Sequence, residues 1–234
     1  MRRRNGRKMF EVIIFVDVPA LTSDEFDALL PMTTQEKRDR IKRFRFFQDA
    51  RNTLIGDILA RIEICRILGL SNRQLEFSVN KYGKPYLINS PHVHFNISHS
   101  GYYIALVLAD KPVGIDIELI KDIELNIYER FFAADEATYI MYPDSQSLQR
   151  FFEIWTKKES RIKWEGKGLS KPLSSFSVFD NTGEDRLRYH KVFQNDEAIC
   201  HTCSSIEKAP IVRIIYTDEL LRYVTQVSTN AGCG

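Results

Sequence analysis

The sequence is short of the residues and runs that mark specialised protein classes. Its 234 residues include only four cysteines, 11 glycines and eight prolines, which excludes a disulfide scaffold, a collagen-like repeat and a low-complexity chain. Lys and Arg number 33 against 31 Asp and Glu, and so small an excess disfavours a general nucleic-acid or membrane-surface binder. The longest uninterrupted apolar run is residues 102–109, whereas a spanning helix needs roughly 20 residues. The composition is that of an ordinary globular protein without a membrane span.

The amino terminus is basic but lacks the features of a targeting signal. Residues 1–8 carry five cations, and Glu11 and Asp17 interrupt the apolar segment 10–18 that follows. A secretory signal needs a continuous apolar core. We therefore expect a cytoplasmic protein in which residues 1–8 form a disordered extension.

The CHTC run from Cys200 to Cys203 allows two interpretations. A metal or redox pair is one, but a zinc site would need further ligands, and a thioredoxin-like motif lies between a strand and a helix. The run here lies in a strand-like stretch. Plain thiols of a strand in a reducing cytosol are the favoured interpretation.

Hydrophobic periodicity predicts helices and strands in both parts of the chain. Thr22 with Glu25, and Thr33 with Glu36, fit capping boxes that each open a helix. Further helices are predicted at 48–68 (ending at Gly69), 127–132, 135–141 and 147–164, and a short one from Thr217. Strands are predicted at 10–18, 75–79, 86–88, 102–109, 113–119, 175–179, 186–193, 197–203 and 210–216.

The order of these elements predicts an α+β fold of two halves. Each half carries helices and an antiparallel set of strands, and the pattern changes at the short junction around Lys111 and Pro112. We expect an N-terminal half at 9–112, a C-terminal half at 113–224 and a tail at 225–234.

Two carboxylates share one face of the strand at 113–119. Asp116 and Glu118 are two residues apart, and strand side chains alternate between faces. A half-exposed strand with acidic residues facing solvent is the simpler interpretation. Glu159 lies close to the apolar side of the helix at 147–164, although a solvated ion pair with Lys163 is equally typical of such a helix. If that helix packs on the strand, three carboxylates meet, and oxygen ligands of this kind suit Mg²⁺.

Cations and hydroxyls suited to phosphate surround this acidic set in the sequence. The turn Ser98–Gly101 adds hydroxyls and backbone donors. Together with Mg²⁺, these groups indicate chemistry on a diphosphate. The candidate phosphate-binding cations are Lys37, Arg40, Lys84, His99 and Lys163.

The motifs FNISHSG, VGIDIE, WTKKESRIK and EGKGLS, in this order, resemble the 4′-phosphopantetheinyl transferase superfamily, most closely its surfactin-synthetase-activating (Sfp) type. EKRDR, TLIGDIL, YGKP and RFF extend the resemblance over about residues 9–221. It implies a pseudo-dimer of two similar α+β halves, with coenzyme A bound in the cleft between them. It also implies an Mg²⁺-dependent enzyme that moves the phosphopantetheine arm of coenzyme A onto a serine of an apo carrier protein, peptidyl or acyl, and releases 3′,5′-ADP.

The resemblance also assigns residue roles. It implies that Asp116, Glu118 and Glu159 bind the metal, that Glu159 is a candidate general base, and that Lys163 contacts the phosphates and serves the departing oxygen. Coenzyme A contacts are implied for Lys37, Arg40, Lys84, Ser98 and His99, with Gly83 beside them. Glu136 matches an acid of the same site.

Two positions depart from the family pattern. Arg40 stands where close relatives carry lysine, which keeps the charge but changes the geometry of the donors. Asn52 stands where the family usually has arginine, so that either Arg51 reaches the nucleotide instead or the contact is lost.

Two other functions remain open from the sequence. One is a noncatalytic carrier-protein or nucleotide-binding module on the same fold, and the other is a nucleic-acid binder that uses the cations of the 35–45 helix. The presence of all three acids favours the enzyme, and the expected partners are carrier proteins and coenzyme A, with no nucleic acid and no membrane. Because both halves lie in one chain, a monomer is expected, with a place in nonribosomal peptide (antibiotic) biosynthesis.

Overall fold

The computed structural model describes residues 9–17, 20–123, 128–168, 172–180 and 186–230, with no side-chain description for 128–129 and 226–230. The basic extension predicted at 1–8 lies outside the described residues, as does Ile127, where a helix was predicted to begin. Within the described residues, none of the helices combines the length and apolar character needed to cross a lipid bilayer.

The first part of the chain places one long helix against a sheet. The strands of this part of the chain are β1 (Phe10–Val16), β2 (Phe77–Val79), β3 (Pro85–Leu87), β4 (His94–Ser100) and β5 (Tyr103–Ala109). Among the described residues, strands β2 and β3 pair only with each other, in a separate two-stranded sheet. The helices of this part are α1 (Ser23–Leu29), α2 (Gln35–Ile41) and α3 (Phe47–Leu68), with 3-10 turns at Leu30–Met32 and Asn72–Gln74.

The second part places another long helix against a second sheet. The strands of this part of the chain are β6 (Val113–Leu119), β7 (Arg188–Gln194), β8 (Ala198–Ser204) and β9 (Ile211–Tyr216). Its helices are α4 (Tyr128–Phe131), α5 (Ala134–Ile140), α6 (Ser147–Glu165) and α7 (Thr217–Asn230), with a 3-10 turn at Leu173–Ser175. Helix α7 is longer than the short helix predicted and runs into the segment assigned to the tail.

Strand β9 belongs to the second part of the chain but pairs with β1 in the sheet of the first part. The four-stranded sheet has the order β4-β5-β1-β9, and the three-stranded sheet has the order β6-β8-β7. β9 runs parallel to β1, with Val12 opposite Val212 and Ile14 opposite Ile214. Each half was predicted to carry an antiparallel set of strands, and the parallel pairing of β9 with β1 departs from that prediction. The boundaries at 9–112 and 113–224 stay a prediction.

The two sheets pack on each other between the two long helices. On β1, Ile13 and Phe15 face α3, whereas Val12 and Ile14 pack against Ile115 and its neighbours on β6 and β8. The alternation of strand side chains produces both apolar layers from one strand. Helix α6 covers the opposite face of the three-stranded sheet, the face that carries Asp116.

Gly114 permits the close contact between α6 and β6. A Cβ atom added at Gly114 would lie 2.0 Å from the carbonyl oxygen of Ser160 and 2.4 Å from the amide nitrogen of Trp164. Both are backbone atoms, which cannot rotate away as the end of a side chain can. Any larger residue would therefore push the helix off the strand.

A ladder of polar side chains joins the two sheets at their edges. Three alternate residues of β4, Asn96, Ser98 and Ser100, accept hydrogen bonds from the backbone amides of Ile115, Ile117 and Leu119 on β6, at 3.0, 3.3 and 3.1 Å. Buried backbone amides need such partners. The ladder supplies them without direct pairing of the two strands.

Local chemistry explains where the predicted boundaries held and where they failed. Thr22 and Glu25 form the predicted capping box, but α2 is capped by Thr34, whose hydroxyl accepts from the amide of Lys37, and not by Thr33. The Thr33 hydroxyl instead donates to the carbonyl of Leu30, the first residue of the preceding 3-10 turn. Helix α3 ends at the left-handed Gly69 as predicted.

The strand predicted at 175–179 was also wrong. The backbone there bonds to side chains instead of a neighbouring strand: Lys158 donates to the carbonyls of Leu173 and Phe176, and the amide of Val178 donates to Glu136. The alternating apolar pattern therefore belongs to a loop that is fixed by buried charges.

Candidate active site

The acidic face of β6 holds two carboxylates in different environments. Asp116 is 2% exposed; its Oδ1 accepts from the hydroxyl of Ser98 at 2.9 Å and from Nζ of Lys163 at 2.5 Å. Its Oδ2 is buried and has no hydrogen-bond partner. Glu118 is less buried and accepts from the hydroxyl of Ser100 at 2.8 Å. The ladder on β4 therefore fixes both carboxylates.

Helix α6 brings the third acid and a lysine to the same place. Glu159 and Lys163 are one turn apart on a helix that packs over the face of β6 with Asp116. Besides the contact with Asp116, Nζ of Lys163 donates to the hydroxyl of Ser98 at 2.7 Å. A single cation therefore bridges α6, β6 and β4.

The three acids repel one another in a partly dehydrated site. Burial raises the pKa of Glu159 above its ordinary value, and the charges of Asp116 and Glu118 raise it further. Burial is also the main cause of the raised pKa values of Asp116 and Glu118, and Lys163 partly offsets both. Such groups are poised for protonation, or for a cation that removes the repulsion.

The donor set fits a magnesium ion. Within the described part of the chain, no group of three or more Asp, Glu, His or Cys side chains is already close enough to hold a metal. However, the buried Oδ2 of Asp116 lacks a partner, and carboxylate oxygens are the ligands that Mg²⁺ prefers. Asp116, Glu118 and Glu159 would hold it.

Three of the predicted phosphate-binding cations, Lys37, Arg40 and His99, lie on α2 and β4. Lys37 lies 3.5 Å from Asp57 on α3, and Arg40 is exposed in the last turn of α2. His99 lies between Ser98 and Ser100 on β4; partial desolvation by the surrounding protein, and then the charge of Lys163, lower its pKa below the ordinary 6.5. Its coenzyme A contact, like those of Lys37 and Arg40, stays a prediction.

A cavity of about 250 Å³ lies between the YGKP turn and the end of α6. Its lining includes Gly83, Lys84 and Asn96 from the first part of the chain and Lys163 from the second. Nζ of Lys84 contacts backbone carbonyls near the end of α6. The cavity adjoins the acidic site through Lys163.

Arg51 and Asn52, the two residues at or beside the position of the family's arginine, both contact other parts of the first half. Arg51 forms a buried ion pair with Asp17, with 2.7 Å between Nε and Oδ2, and donates to the side chain of Gln48. Asn52 and Gln48 both donate to the carbonyl of Gly101, at 2.9 and 2.6 Å. Their role is to anchor the turn that follows β4.

Sequence reasoning missed the buried pair of Glu136 and Lys158. Their side chains are fully buried, with 2.7 Å between Nζ and Oε2. Glu136 supports the loop at 172–178 together with Lys158, and its match to an acid of the site stays a prediction. The sequence did contain an indication of this pair, because helical spacing places Lys158 on the apolar side of α6, between Trp155 and Ile162. A lysine at such a position needs a buried partner.

Comparisons with known proteins agree with this geometry. The family described as "4′-phosphopantetheinyl transferase, N-terminal" matches residues 20–111, and the "4′-phosphopantetheinyl transferase superfamily" matches residues 112–221. The 4′-phosphopantetheinyl transferases ffp and Sfp of Bacillus subtilis are 43% and 42% identical to the chain, each over 70% of it and 74% of the relative. The transferase gsp of Aneurinibacillus migulanus is 36% identical over 72% of the chain and 71% of its own length.

The chain therefore belongs to the 4′-phosphopantetheinyl transferase superfamily, a family of enzymes. The predicted resemblance and the α+β fold of two halves are confirmed.

Proposed function

We propose that the protein transfers the 4′-phosphopantetheine group of coenzyme A to a serine hydroxyl of an apo carrier protein. The observation that carries the proposal is the convergence of Asp116 and Lys163 where α6 crosses β6, with Glu118 and Glu159 beside them. The serine oxygen forms a bond to the β-phosphorus of coenzyme A, the bond from that phosphorus to the bridging oxygen breaks, and 3′,5′-ADP leaves. The serine proton passes to a base on the enzyme.

Asp116, Glu118 and Glu159 are the proposed ligands of Mg²⁺, which when bound would neutralise charge on the diphosphate. Glu159 is also the proposed acceptor of the serine proton, because it lies beside the other two acids and on the helix that carries Lys163. Lys163, one turn further along α6, is the proposed donor to the departing phosphate oxygen. The buried Oδ2 of Asp116 supports the metal assignment.

Coenzyme A is proposed to lie across the two halves, with its 3′-phosphate toward Lys37, Arg40 and His99 and its diphosphate toward Ser98 and Lys163. Lys163 also lines the cavity between the YGKP turn and α6, so that this cavity adjoins the proposed diphosphate site. The remaining expectations are also proposals: a monomer in the cytoplasm that serves carrier proteins of nonribosomal peptide or related biosynthesis, without nucleic acid or membrane.

The test is incubation of the protein with coenzyme A, MgCl₂ and an apo carrier protein, followed by intact mass analysis of the carrier. We expect the carrier to gain one phosphopantetheine group. The gain should disappear with EDTA and with a carrier whose serine is replaced by alanine. Coenzyme A binding without any mass change in a panel of carriers would instead support the noncatalytic module.

A further inference from the structure

We propose that Lys84 is a positioning residue for Lys163, which it serves by fastening the last turn of α6 to the start of β6. Nζ of Lys84 donates to the carbonyl of Lys163 itself at 2.5 Å, to that of Trp164 at 3.3 Å and to that of Val113 at 3.1 Å. Val113 is the first residue of β6, and Lys163 and Trp164 belong to the last turn of α6.

The end of α6 needs such a donor. The last carbonyls of a helix have no partner within the helix, and the helix dipole places partial negative charge there. An ammonium group has three N–H donors, and Lys84 has three carbonyl acceptors within reach. Its side chain enters from the β2–β3 turn of the other half of the molecule, so that the contact also crosses between the halves.

A second side chain from the same turn supports this arrangement. Nδ2 of Asn80 donates to the carbonyl of Gly166, just beyond α6, at 2.8 Å. Oδ1 of Asn80 accepts from the amides of Tyr82 and Lys84, at 2.9 and 3.0 Å. Asn80 therefore holds the turn in shape and attaches it to the helix end, and Lys84 is presented in one orientation.

This inference rests on the proposed transferase reaction, and it changes the role expected for Lys84 in that reaction. The resemblance implies that Lys84 contacts coenzyme A. A Lys84 ammonium that donates to three carbonyls has no donor left for a phosphate. The positioning role therefore predicts an effect on turnover through Lys163, and the ligand role predicts an effect on coenzyme A affinity.

The experiment compares three variants with the wild-type protein. Lys84→Met keeps the length of the side chain and removes its donors, and Lys84→Arg keeps the charge. Lys81→Met is the matched control, since Lys81 is an exposed lysine of the same turn that lies over the ring of Tyr82. The measurements are amide hydrogen exchange at residues 160–168, coenzyme A affinity by calorimetry, and kcat for carrier modification.

For Lys84→Met we expect exchange at the end of α6 to become faster by about tenfold, as on loss of a charge-assisted hydrogen bond. We expect kcat to fall on the order of 10–100-fold, because a small misplacement of a reacting group has effects of that size. Coenzyme A affinity should stay within about twofold, which separates turnover from ground-state binding. Lys84→Arg should lie closer to wild type in exchange and kcat, and Lys81→Met should match wild type.

A large loss of coenzyme A affinity in Lys84→Met, with hydrogen exchange at the end of α6 unchanged, would overturn the proposal. It would show that Lys84 contacts coenzyme A. Should Lys84→Met fail to fold, Lys84→Gln, which removes the charge and keeps two donors, takes its place in the same measurements. The exchange result does not depend on transferase activity, so a failure of the proposed function is distinguishable from a failure of this inference.

Discussion

Lys163 and Asp116 form an ion pair across the contact of α6 with β6, with 2.5 Å between Nζ and Oδ1. This single cation faces three carboxylates, because Glu118 and Glu159 share the same site. The site therefore carries excess negative charge until another cation binds. The excess opposes folding of the free protein and favours the binding of a cation.

Replacing Glu159 by glutamine should stabilise the free protein while it removes activity. Folding raises the pKa of Glu159 above its ordinary 4.5, so the ionised group destabilises the folded state above pH 4.5, increasingly as the pH approaches its folded pKa. At pH 7.5 we expect the Tm of Glu159→Gln to rise by about 2–4 °C, as for about 1 kcal/mol in a chain of this size. Thermal unfolding at pH 4 should show little difference, and a Tm below wild type at pH 7.5 would contradict the assignment.

Gly114→Ala should destabilise the fold far more than Gly56→Ala. At Gly114 the added Cβ meets backbone atoms of Ser160 and Trp164 at 2.0 and 2.4 Å, whereas at Gly56 it meets the side-chain methyl of Ile97 at 2.9 Å. Overpacking commonly costs about 1–3 kcal/mol, and Gly114→Ala should reach or exceed the upper end. Urea unfolding of both variants gives the comparison, and equal losses would show that α6 can move away from β6.

Lys37 and His99 should distinguish coenzyme A from dephospho-coenzyme A. Hydrogen bonds from charged groups to the 3′-phosphate contribute roughly 1.5–3 kcal/mol each, so Lys37→Ala or His99→Gln should weaken coenzyme A and leave dephospho-coenzyme A nearly unchanged. Since the pKa of His99 lies below 6.5 in the free protein, a bound phosphate should raise it, and coenzyme A should bind more tightly as the pH falls toward 6. Calorimetry with both ligands checks this, with the exposed Lys111→Ala as control.

The sequence predicted the acidic face but not what surrounds it. Strand alternation placed Asp116 beside Glu118, and helical spacing placed Glu159 and Lys163 on one face of α6, because both periodicities follow from local backbone geometry. The partners of Lys84 and Arg51 depend on contacts across the fold, which no local pattern encodes. For the same reason the alternation in 210–216 predicted a strand without indicating that it pairs with β1.

Charge reversal at Lys42 or Arg43 should slow the encounter with the carrier protein. Both side chains are exposed just after α2, and the proposed carriers are acidic near their serine. Exposed charges act over about 8–10 Å at physiological salt and affect mainly the association rate. We expect Lys42→Glu or Arg43→Glu to raise KM for the carrier and flatten its salt dependence, with KM for coenzyme A unchanged. Lys208→Glu, on the β8–β9 connection, is the control.

Removal of residues 1–8 should change little. The family match begins beyond this segment, and Met9, which packs against the core, stays in place. The truncated protein should keep the wild-type Tm within about 1 °C, which is well under 1 kcal/mol here, and should keep its kcat. A larger loss of either would show that the basic extension docks on the folded body.

The parallel pairing of β9 with β1 has a consequence for synthesis of the chain. β1 is synthesised before β9, and its neighbour on one side is not made until residues 211–216. Until then β1 presents an open apolar edge, the kind of edge that pairs with other chains. Each nascent molecule therefore carries an incomplete first sheet until β9 is made, and a chain that terminates before residue 211 keeps the edge of β1 open to pairing with other chains.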